Sequence, residues 1–512
     1  MAQHAPSDLI LMAGQSNMAG HKVGVDDLAD TERGQIEGAR IWVDGAWVPL
    51  AIDAGYQKRG FGPELSFARQ WQVQTGRPLS IVKLAKGGSY LSRGWSAEGR
   101  GGPLYQRLVA EVRAAMATGP VRLRGLIWMQ GESDALDHED AQAYGTRFEG
   151  FVARLRQDLG VPDLPIVAGL ISAKGDHVDL VRDAMASADV TAFKTVETRD
   201  LAHRSGAVHL TASGLAALGQ RFADALSSFE DSALIRQWLW TSDQYHAWYE
   251  GETLTPTGVV VSLPHAVADD GFAEPGFGQR FFRKRGTAAV YVRARMSNWF
   301  QDEEVFEMAK AIRGFIPKET KLVTYGASMG AYGGLLLSGA LAANRVLAVA
   351  PQYSIDRATV PWEKRWSKAA KRIDGFVHRM EDHVSPTAQK LVFYDPLNAD
   401  RNQIALFDTD DTWSLIKIPL ASHQVAQRLL DSKSLPLLFE GLFDDGPPVN
   451  DIRKAARARR RDSKIYWLTL ANKSAERRPG LALYAIDRCL AVGGPKWKLK
   501  KLRETLSARE TT

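Results

Sequence analysis

Residues 9–20 read LILMAGQSNMAG, and this stretch decides the fold of the first half of the chain. An apolar run is followed at once by a serine, Ser16, in a turn of small and polar residues. In an open parallel sheet, reactive groups collect just beyond the carboxyl ends of the strands. A turn here can present the Ser16 hydroxyl and nearby backbone N–H groups to such a crevice. The alternative interpretation of Ser16 is an ordinary helix N-cap serine.

Segments typical of strands and helices alternate through the first half. Apolar strand candidates lie at 9–14, 79–85, 123–129, 164–172 and 190–197, and helical patterns lie at 104–117, 141–159 and 211–229. This alternation predicts an α/β fold in which helices cover both faces of a mostly parallel sheet.

The strand pattern then starts again, with candidates at 258–266, 288–294, 321–328, 345–351, 390–395 and 415–420. A domain usually holds about 100–200 residues, so more than one is expected in a chain of 512 residues. We predict two three-layer α/β/α domains, 1–230 and 231–512, and the second ends in a basic helical segment.

The bulk composition is ordinary for a soluble globular protein. Apolar residues make up 45% of the chain and charged residues 24%, there is one cysteine, and the net charge is +6. We see no signal peptide and no apolar run of membrane-spanning length, and we predict a cytoplasmic protein without a membrane partner. The basic stretches 452–464 and 496–504 are interpreted as solvated helix faces, without a nucleic-acid partner; the oligomeric state stays open.

Three further segments of the first half carry polar groups at strand ends or a helix start. They are KGGS (86–89), QGESD (130–134) and HLTASG (209–214). A serine, a backbone donor, a side-chain amide and a histidine meet the needs of acyl transfer, because the histidine takes the serine proton and the donors hold the oxyanion.

With GQSNM (14–18) and FGPEL (61–65), these motifs make residues 7–228 resemble the SGNH-hydrolase superfamily. They are most similar to carbohydrate esterases of the sialate O-acetylesterase and acetylxylan esterase type. The resemblance implies that Ser16 is the nucleophile and His209 the base. It also implies an oxyanion hole formed by the N–H groups of Ser16 and Gly88 and the amide of Gln130.

One position departs from the pattern of this family. The final motif is Asp-x-x-His, but Gly206 stands three residues before His209. Such an aspartate fixes the tautomer of the histidine and stabilises the imidazolium. Asp200, Glu132 or a backbone carbonyl could take its place, and a slower Ser–His dyad or a retired site are the alternatives.

The second half contains TYGASMGAYG at 324–333, a G-x-S-x-G pattern between an apolar strand and a small-residue helix. This is typical of a nucleophile elbow, which exposes Ser328, with acid and histidine following in that order. We take Asp395 as the acid with Asp400 in reserve, and His423 as the base; a turn residue is the alternative role of either aspartate. Residues 235–480 thus resemble the α/β-hydrolase fold, which implies Met329 N–H as an oxyanion donor.

The sequence therefore predicts a serine esterase that removes O-acetyl or other short acyl groups from carbohydrate through two separate acyl-enzyme sites. Its substrate would be an acylated oligosaccharide or polysaccharide, and neither a metal nor an organic cofactor is implied. One alternative is glycan O-acyltransferase activity in the C-terminal domain, and the other is a glycan-binding protein with a retired N-terminal site.

Overall fold

A computed structural model describes residues 6–20, 23, 28, 33–52, 54, 60–204, 208–230, 234–267 and 270–510. The chain divides into two compact units, Met1–Trp238 and Leu239–Thr512, hereafter the first and the second unit. The division falls inside a strand, eight residues after the predicted boundary at 230. Both units mix helices with mostly parallel strands, as the sequence pattern predicts.

The strands of the first unit are β1 (Ser7–Gly14), β2 (Ala39–Val43), β3 (Ala46–Pro49), β4 (Leu79–Ala85), β5 (Val121–Met129), β6 (Ile166–Gly169), β7 (Phe193–Val196) and β8 (Ile235–Thr241), which crosses the division. Its helices are α1 (Ser16–Ala19), α2 (Glu64–Thr75), α3 (Pro103–Ala117), α4 (His138–Leu159), α5 (Val178–Ala186) and α6 (Ala212–Ser227). The strand order is β3-β2-β4-β1-β5-β6-β7, parallel except for the β2–β3 hairpin.

The register of the central strands positions the first site. Gly14, the last residue of β1, pairs with Ala85 of β4 and with Met129 of β5. The chain segments after these three strands therefore leave the sheet at the same level, side by side.

Alternate residues of the central strands bury apolar side chains on opposite faces of this sheet, as expected of a doubly covered sheet. On one face, Met12 and Met129 join a core with Trp71 of α2 and Phe222 of α6. On the other face, Trp128 lies 4.6 Å, ring to ring, from Phe151 of α4.

The β2–β3 hairpin lies outside the predicted strands. Its two-residue turn, Asp44-Gly45, has positive φ at both residues, 47° and 84°. Asp-Gly between two short apolar runs is a hairpin signal, so this element was predictable.

The strands of the second unit are β9 (Tyr245–Gly251), β10 (Gly258–Ser262), β11 (Ala289–Ala294), β12 (Lys321–Ala327), β13 (Arg345–Val349), β14 (Gln389–Tyr394) and β15 (Trp413–Lys417). Its helices are α7 (Gln279–Lys284), α8 (Glu304–Phe315), α9 (Met329–Leu336), α10 (Ser367–Ala370), α11 (Met380–His383), α12 (Asp400–Ile404), α13 (Val425–Asp431), α14 (Val449–Ala458), α15 (Lys464–Ser474), α16 (Pro479–Ala491) and α17 (Lys496–Glu510). The strand order is β15-β14-β13-β12-β10-β11-β9, and every pair is parallel except β9 with β11.

The last helices of the chain form a small core of their own. Trp467 of α15, Ile486 and Cys489 of α16 and Leu499 of α17 are buried together. Within the described part of the chain, no helix is long and apolar enough to cross a membrane. The same residues hold no cluster of three or more His, Cys, Asp or Glu side chains that could bind a metal ion.

Candidate active sites

The turn after β1 holds Ser16 close against the neighbouring strand. A Cβ atom on Gly14 would lie 2.0 Å from the carbonyl oxygen of Met129, and the φ of Gly14 is +153°. Only glycine fits there, because any larger residue would clash with that backbone. The N–H of Gln15 donates to the same carbonyl at 2.9 Å. Ser16 begins α1 at the strand's end and is 6% exposed.

Asn17 ties the Ser16 turn to the segment that carries His209. Its Nδ2 donates to the carbonyl of Val208 at 3.2 Å, and its Oδ1 accepts from the N–H of Leu210 at 3.1 Å. The two neighbours of His209 are thus held by the residue that follows Ser16. Through these two bonds, the half-buried His209 is tied to the turn that carries Ser16.

The predicted oxyanion loop also lies beside Ser16. The N–H of Lys86 donates to the carbonyl of Gly14 at 3.0 Å. A Cβ atom built on Gly87 would lie 3.8 Å from the Cβ of Ser16. Gly88, the predicted donor, is the exposed next residue.

The amide of Gln130 is fully buried and already bonded. Its Nε2 donates to the carbonyl of Ser89 at 2.9 Å and to Oδ2 of Asp134 at 2.5 Å. Its Oε1 and its carbonyl both accept from the hydroxyl of Tyr144, at 3.1 and 2.8 Å. In this arrangement the amide braces the 86–89 loop, and a role as an oxyanion donor stays a prediction.

Two carboxyl groups of the QGESD segment are buried beneath this site. Glu132 Oε1 accepts from Asn17 Nδ2 at 2.8 Å, and its Oε2 is buried without a hydrogen-bond partner among the described residues. Burial raises the pKa of Glu132. Burial also raises the pKa of Asp134 to about 6, against hydrogen bonds from Gln130 and from the N–H of Leu91. Through these contacts Glu132 holds the residue after Ser16 and Asp134 holds Gln130, and the role of Glu132 as a substitute for the missing aspartate stays a prediction.

One candidate for the acid missing from the first site is bound to an arginine. Both carboxylate oxygens of Asp200, the reserve acid, are bound by Arg221, at 2.7 and 2.5 Å. This surface ion pair holds the pKa of Asp200 below its usual value, chiefly through the hydrogen bond from Arg221. Asp200 is therefore engaged elsewhere, and Gly206 lies outside the described residues.

A different serine–histidine contact in the first unit was not predicted. The Nε2 atom of His203 lies 2.5 Å from Oγ of Ser172, and its Nδ1 lies 2.6 Å from the carbonyl oxygen of Leu201. Ser172 follows β6, and His203 forms an isolated antiparallel bridge with Leu210. No motif in the sequence marks this pair.

In the second unit, Ser328 has the strained backbone of a nucleophile elbow. Its φ of 55° and ψ of −118° lie outside the regions that L-residues prefer. The turn is tight, since a Cβ atom on Gly330 would lie 2.5 Å from the carbonyl oxygen of Leu263, just after β10. The strand-turn-helix context expected of the G-x-S-x-G pattern is present, with β12 before the serine and α9 after it.

The side chain of His423 joins Ser328 to a carboxylate. Its Nε2 lies 2.9 Å from Ser328 Oγ, and its Nδ1 lies 3.0 and 3.1 Å from the two oxygens of Asp400. This corrects the order of the two candidate acids. Asp395 instead accepts the N–H groups of Leu397 at 2.9 Å and Ser422 at 2.7 Å. It fills the alternative role that the sequence allowed, a turn residue.

Asp400 is fully buried and lies between two cationic or protonatable groups. Nη1 of Arg365 donates to its Oδ1 at 2.7 Å. Burial by itself would raise the pKa of Asp400, but the hydrogen bonds and charges of His423 and Arg365 outweigh it and hold the pKa below its usual value. The carboxylate is therefore ionised and oriented. No motif indicates Arg365 in the sequence, because it lies in an irregular segment.

Gln352 is a further buried group at the second site. Its Nε2 lies 3.5 Å from Ser328 Oγ and 3.4 Å from His423 Nε2, and its Oε1 accepts from the indole N–H of Trp299 at 3.2 Å. Trp366 packs against the His423 ring, with 5.3 Å between ring centroids. The serine and the histidine are thus held from the side by an amide and an indole.

Met329 is the first residue of α9, so its N–H has no acceptor within the helix. It follows Ser328 directly, at the helix N-terminus, where the helix dipole favours negative charge. This position suits the oxyanion donor role that the sequence analysis assigns to it, which remains a prediction.

Comparison with known proteins defines the class of the first unit. Residues 6–228 match the family of carbohydrate esterases described as sialic acid-specific acetylesterases. A probable carbohydrate esterase of Arabidopsis thaliana is 30% identical over 244 residues, which cover 44% of this chain and 92% of that protein. The chain is therefore a carboxylic ester hydrolase. It belongs to the sialic acid-specific acetylesterase family of carbohydrate esterases.

Solved structures show similarity at low TM-scores. The crystal structure of an Arabidopsis thaliana protein is 28% identical, covers 44% of this chain and 99% of that chain, and has a TM-score of 0.40. A carbohydrate acetylesterase of Xanthomonas citri is 18% identical, with coverages of 48% and 62% and a TM-score of 0.36. The capsule O-acetyltransferase of Neisseria meningitidis serogroup A is 12% identical, with coverages of 38% and 90% and a TM-score of 0.28.

Proposed function

We propose that this chain removes short acyl groups, acetyl above all, from carbohydrate hydroxyls, and that it does so at two separate serine sites. The first is the Ser16 site in the first unit, and the second is the Ser328 site in the second unit. Family membership supports the first activity. The contact between Ser328 and His423, with Asp400 behind it, carries the second.

At the Ser328 site, each step follows from the contacts already described. His423 Nε2 takes the proton of Ser328 Oγ as that oxygen forms a bond with the ester carbonyl carbon. Asp400 holds the Nδ1–H of His423, which fixes the tautomer and stabilises the imidazolium. The N–H of Met329 then faces the developing oxyanion, and one such donor is typically worth about 3–4 kcal/mol of transition-state stabilisation.

The second half of the cycle returns the proton. As the bond between the acyl carbon and the sugar oxygen breaks, His423 gives its proton to the leaving sugar hydroxyl. Water, activated by the same imidazole, attacks the acyl-Ser328 ester and releases the carboxylic acid. If a sugar hydroxyl attacks in place of water, the same site transfers the acyl group.

At the Ser16 site, the proposal assigns the proton transfer to His209. Asn17 supports this because it binds both neighbours of His209 and follows Ser16 directly. Since Arg221 occupies Asp200, this site would work as a Ser–His dyad, or with Glu132 or a backbone carbonyl behind the imidazole.

The test is hydrolysis of p-nitrophenyl acetate by Ser16→Ala, Ser328→Ala and the double variant, followed by an acetylated-oligosaccharide screen. Each single variant should keep part of the rate, and the double variant should fall to the background. Ser172→Ala is the matched control, because Ser172 also contacts a histidine in the first unit. Full activity in the double variant would refute the proposal, and loss of activity in Ser172→Ala alone would move the first site to the Ser172–His203 pair. Acylated product above hydrolysis, when a sugar acceptor is added, would assign transfer.

A further inference from the structure

The acid of the second site is part of a longer chain of charges. The guanidinium of Arg365 contacts Asp400 through Nη1 at 2.7 Å. Its other side forms a forked pair with Glu363, through Nη2 at 2.6 Å and Nε at 2.9 Å. The carboxylates of Glu363 and Asp400 are almost completely buried, with side-chain exposures of 1% and 0%. An arginine therefore bridges two buried carboxylates, of which one contacts the imidazole of His423.

The segment 363–366 contacts the second site at more than one point. Glu363, Arg365 and Trp366 are close neighbours in sequence, and Trp366 packs on the His423 ring. Glu363 is held in turn by Gln403, whose Nε2 donates to it at 3.2 Å. The ion pair is thus anchored independently of His423, so it can fix the position of Asp400.

We propose that Arg365 and Glu363 are positioning residues of the second site, which orient Asp400 and set the pH range in which the serine–histidine pair works. The inference rests on the proposed function of the Ser328 site. The positive charge of Arg365 partly neutralises Asp400. It therefore weakens the attraction of that carboxylate for a protonated imidazole. Glu363 balances Arg365 and limits this effect.

Among the described residues, few charged or titratable groups contact the series of Glu363, Arg365, Asp400 and His423. Asp400 faces Arg365 and His423, with the neutral amide of Asn398 at 3.3 Å. Arg365 faces the two carboxylates, and the His423 ring faces Asp400, Ser328, Gln352 and Trp366. Removal of either member of the ion pair therefore changes the field at His423 in one defined direction.

The two members act with opposite signs. Without the cation, Asp400 attracts a proton on His423 more strongly, so the acid limb of the pH–rate profile moves to higher pH. Without Glu363, the unbalanced cation repels that proton, so the limb moves to lower pH. With an effective dielectric constant of about 20 and charges several ångströms apart, shifts of about one to two pH units are expected.

The experiment uses the full chain with Ser16→Ala, so that p-nitrophenyl acetate hydrolysis reports the Ser328 site. Arg365→Gln should raise the midpoint of the acid limb of kcat/KM, Glu363→Gln should lower it, and the double variant should return it close to the parent. Arg365→Lys keeps the charge without the fork, so its midpoint should stay near the parent while its plateau rate falls about tenfold or less. A loss of stability alone would lower all rates without opposite shifts in pH.

A readout without turnover separates this inference from the proposed function. The proton uptake of the His423 ring can be followed by NMR in chains labelled at histidine, with the signal assigned by its absence in His423→Gln. If Ser328→Ala leaves the hydrolysis rate unchanged, the proposed function fails, yet the ring titration still tests the ion pair. Midpoints that do not move, or that move in the same direction in Arg365→Gln and Glu363→Gln, would overturn the inference. If Arg365→Gln does not fold, Glu363→Gln alone must still lower the midpoint.

Discussion

The Nδ1 atom of His423 lies 3.0 Å from Oδ1 of Asp400, while Asp395 binds the N–H of Ser422, the residue just before that histidine. The two aspartates that follow β14 thus have different roles. Asp395 fixes the backbone that carries His423, and Asp400 contacts its ring.

Asp400→Asn should therefore cost far more activity than Asp395→Asn. An asparagine in place of the acid favours the wrong tautomer of the histidine, and a loss of about 10³–10⁴-fold in kcat is the usual scale. Asp395→Asn keeps one acceptor for backbone N–H groups and should cost stability on the order of 1 kcal/mol, with a much smaller rate effect. Rates on p-nitrophenyl acetate in the Ser16→Ala chain, together with thermal unfolding, measure both. Equal losses in the two variants would contradict this division of roles.

A buried ion pair lies next to the first site, and its two halves should couple strongly. Lys83 Nζ lies 2.6 Å from Glu64 Oε2, with side-chain exposures of 2% and 3%. Lys83→Met leaves a buried carboxylate without its cation and should cost about 3–5 kcal/mol. Lys83→Met with Glu64→Gln should recover much of that loss. Calorimetry of the full chain measures the shift, and additive losses in the double variant would show that the pair is not coupled.

The titration of the Asp134 carboxyl should lower the free energy of unfolding as pH rises. Its pKa is raised by burial to about 6 in the folded chain, against an ordinary value of 3.8. The native state therefore binds this proton more tightly, so its contribution is complete below about pH 4 and is lost as pH rises through about 6.

Asp134→Asn should remove this slope, so the unfolding temperature of the variant gains on that of the parent between about pH 4 and pH 6. Asp137 gives a control of opposite sign. It caps α4 and has a lowered pKa, chiefly from the N–H of Asp140, so its contribution grows as pH rises. Asp137→Asn keeps a good N-cap residue, and its unfolding temperature should fall relative to that of the parent as pH rises. Parallel curves for the parent and Asp134→Asn would refute the assignment.

Much of the fold could be predicted because long apolar strands alternate with amphipathic helices. β4 was placed at its observed bounds, and the strand before each serine was found. β8 and β9 lie outside the predicted strands. Their tryptophans and tyrosines indicate a packed segment, but they do not show the apolar–polar alternation typical of a strand. The predicted strand at 164–172 was too long, since β6 ends at Gly169 and the apolar residues beyond it belong to a loop.

The candidate sites were predictable only where chemistry is local in sequence. Ser16 and Ser328 stand in motifs, and His423 follows the last predicted strand in the expected order, so all three could be named. The choice between Asp395 and Asp400 depends on the turn after β14, which places only the later one against the ring. Arg365 and Gln352 reach the site through tertiary contacts, and nothing adjacent to them in the sequence indicates this.

The most direct test of the central claim, two serine nucleophiles in one chain, is labelling of the full chain with a fluorophosphonate probe and mapping of the modified peptides. We expect label on both Ser16 and Ser328, and loss of the Ser328 label in His423→Ala while the Ser16 label remains. A folded chain in which Ser328 stays unlabelled, or is labelled equally without His423, would contradict it.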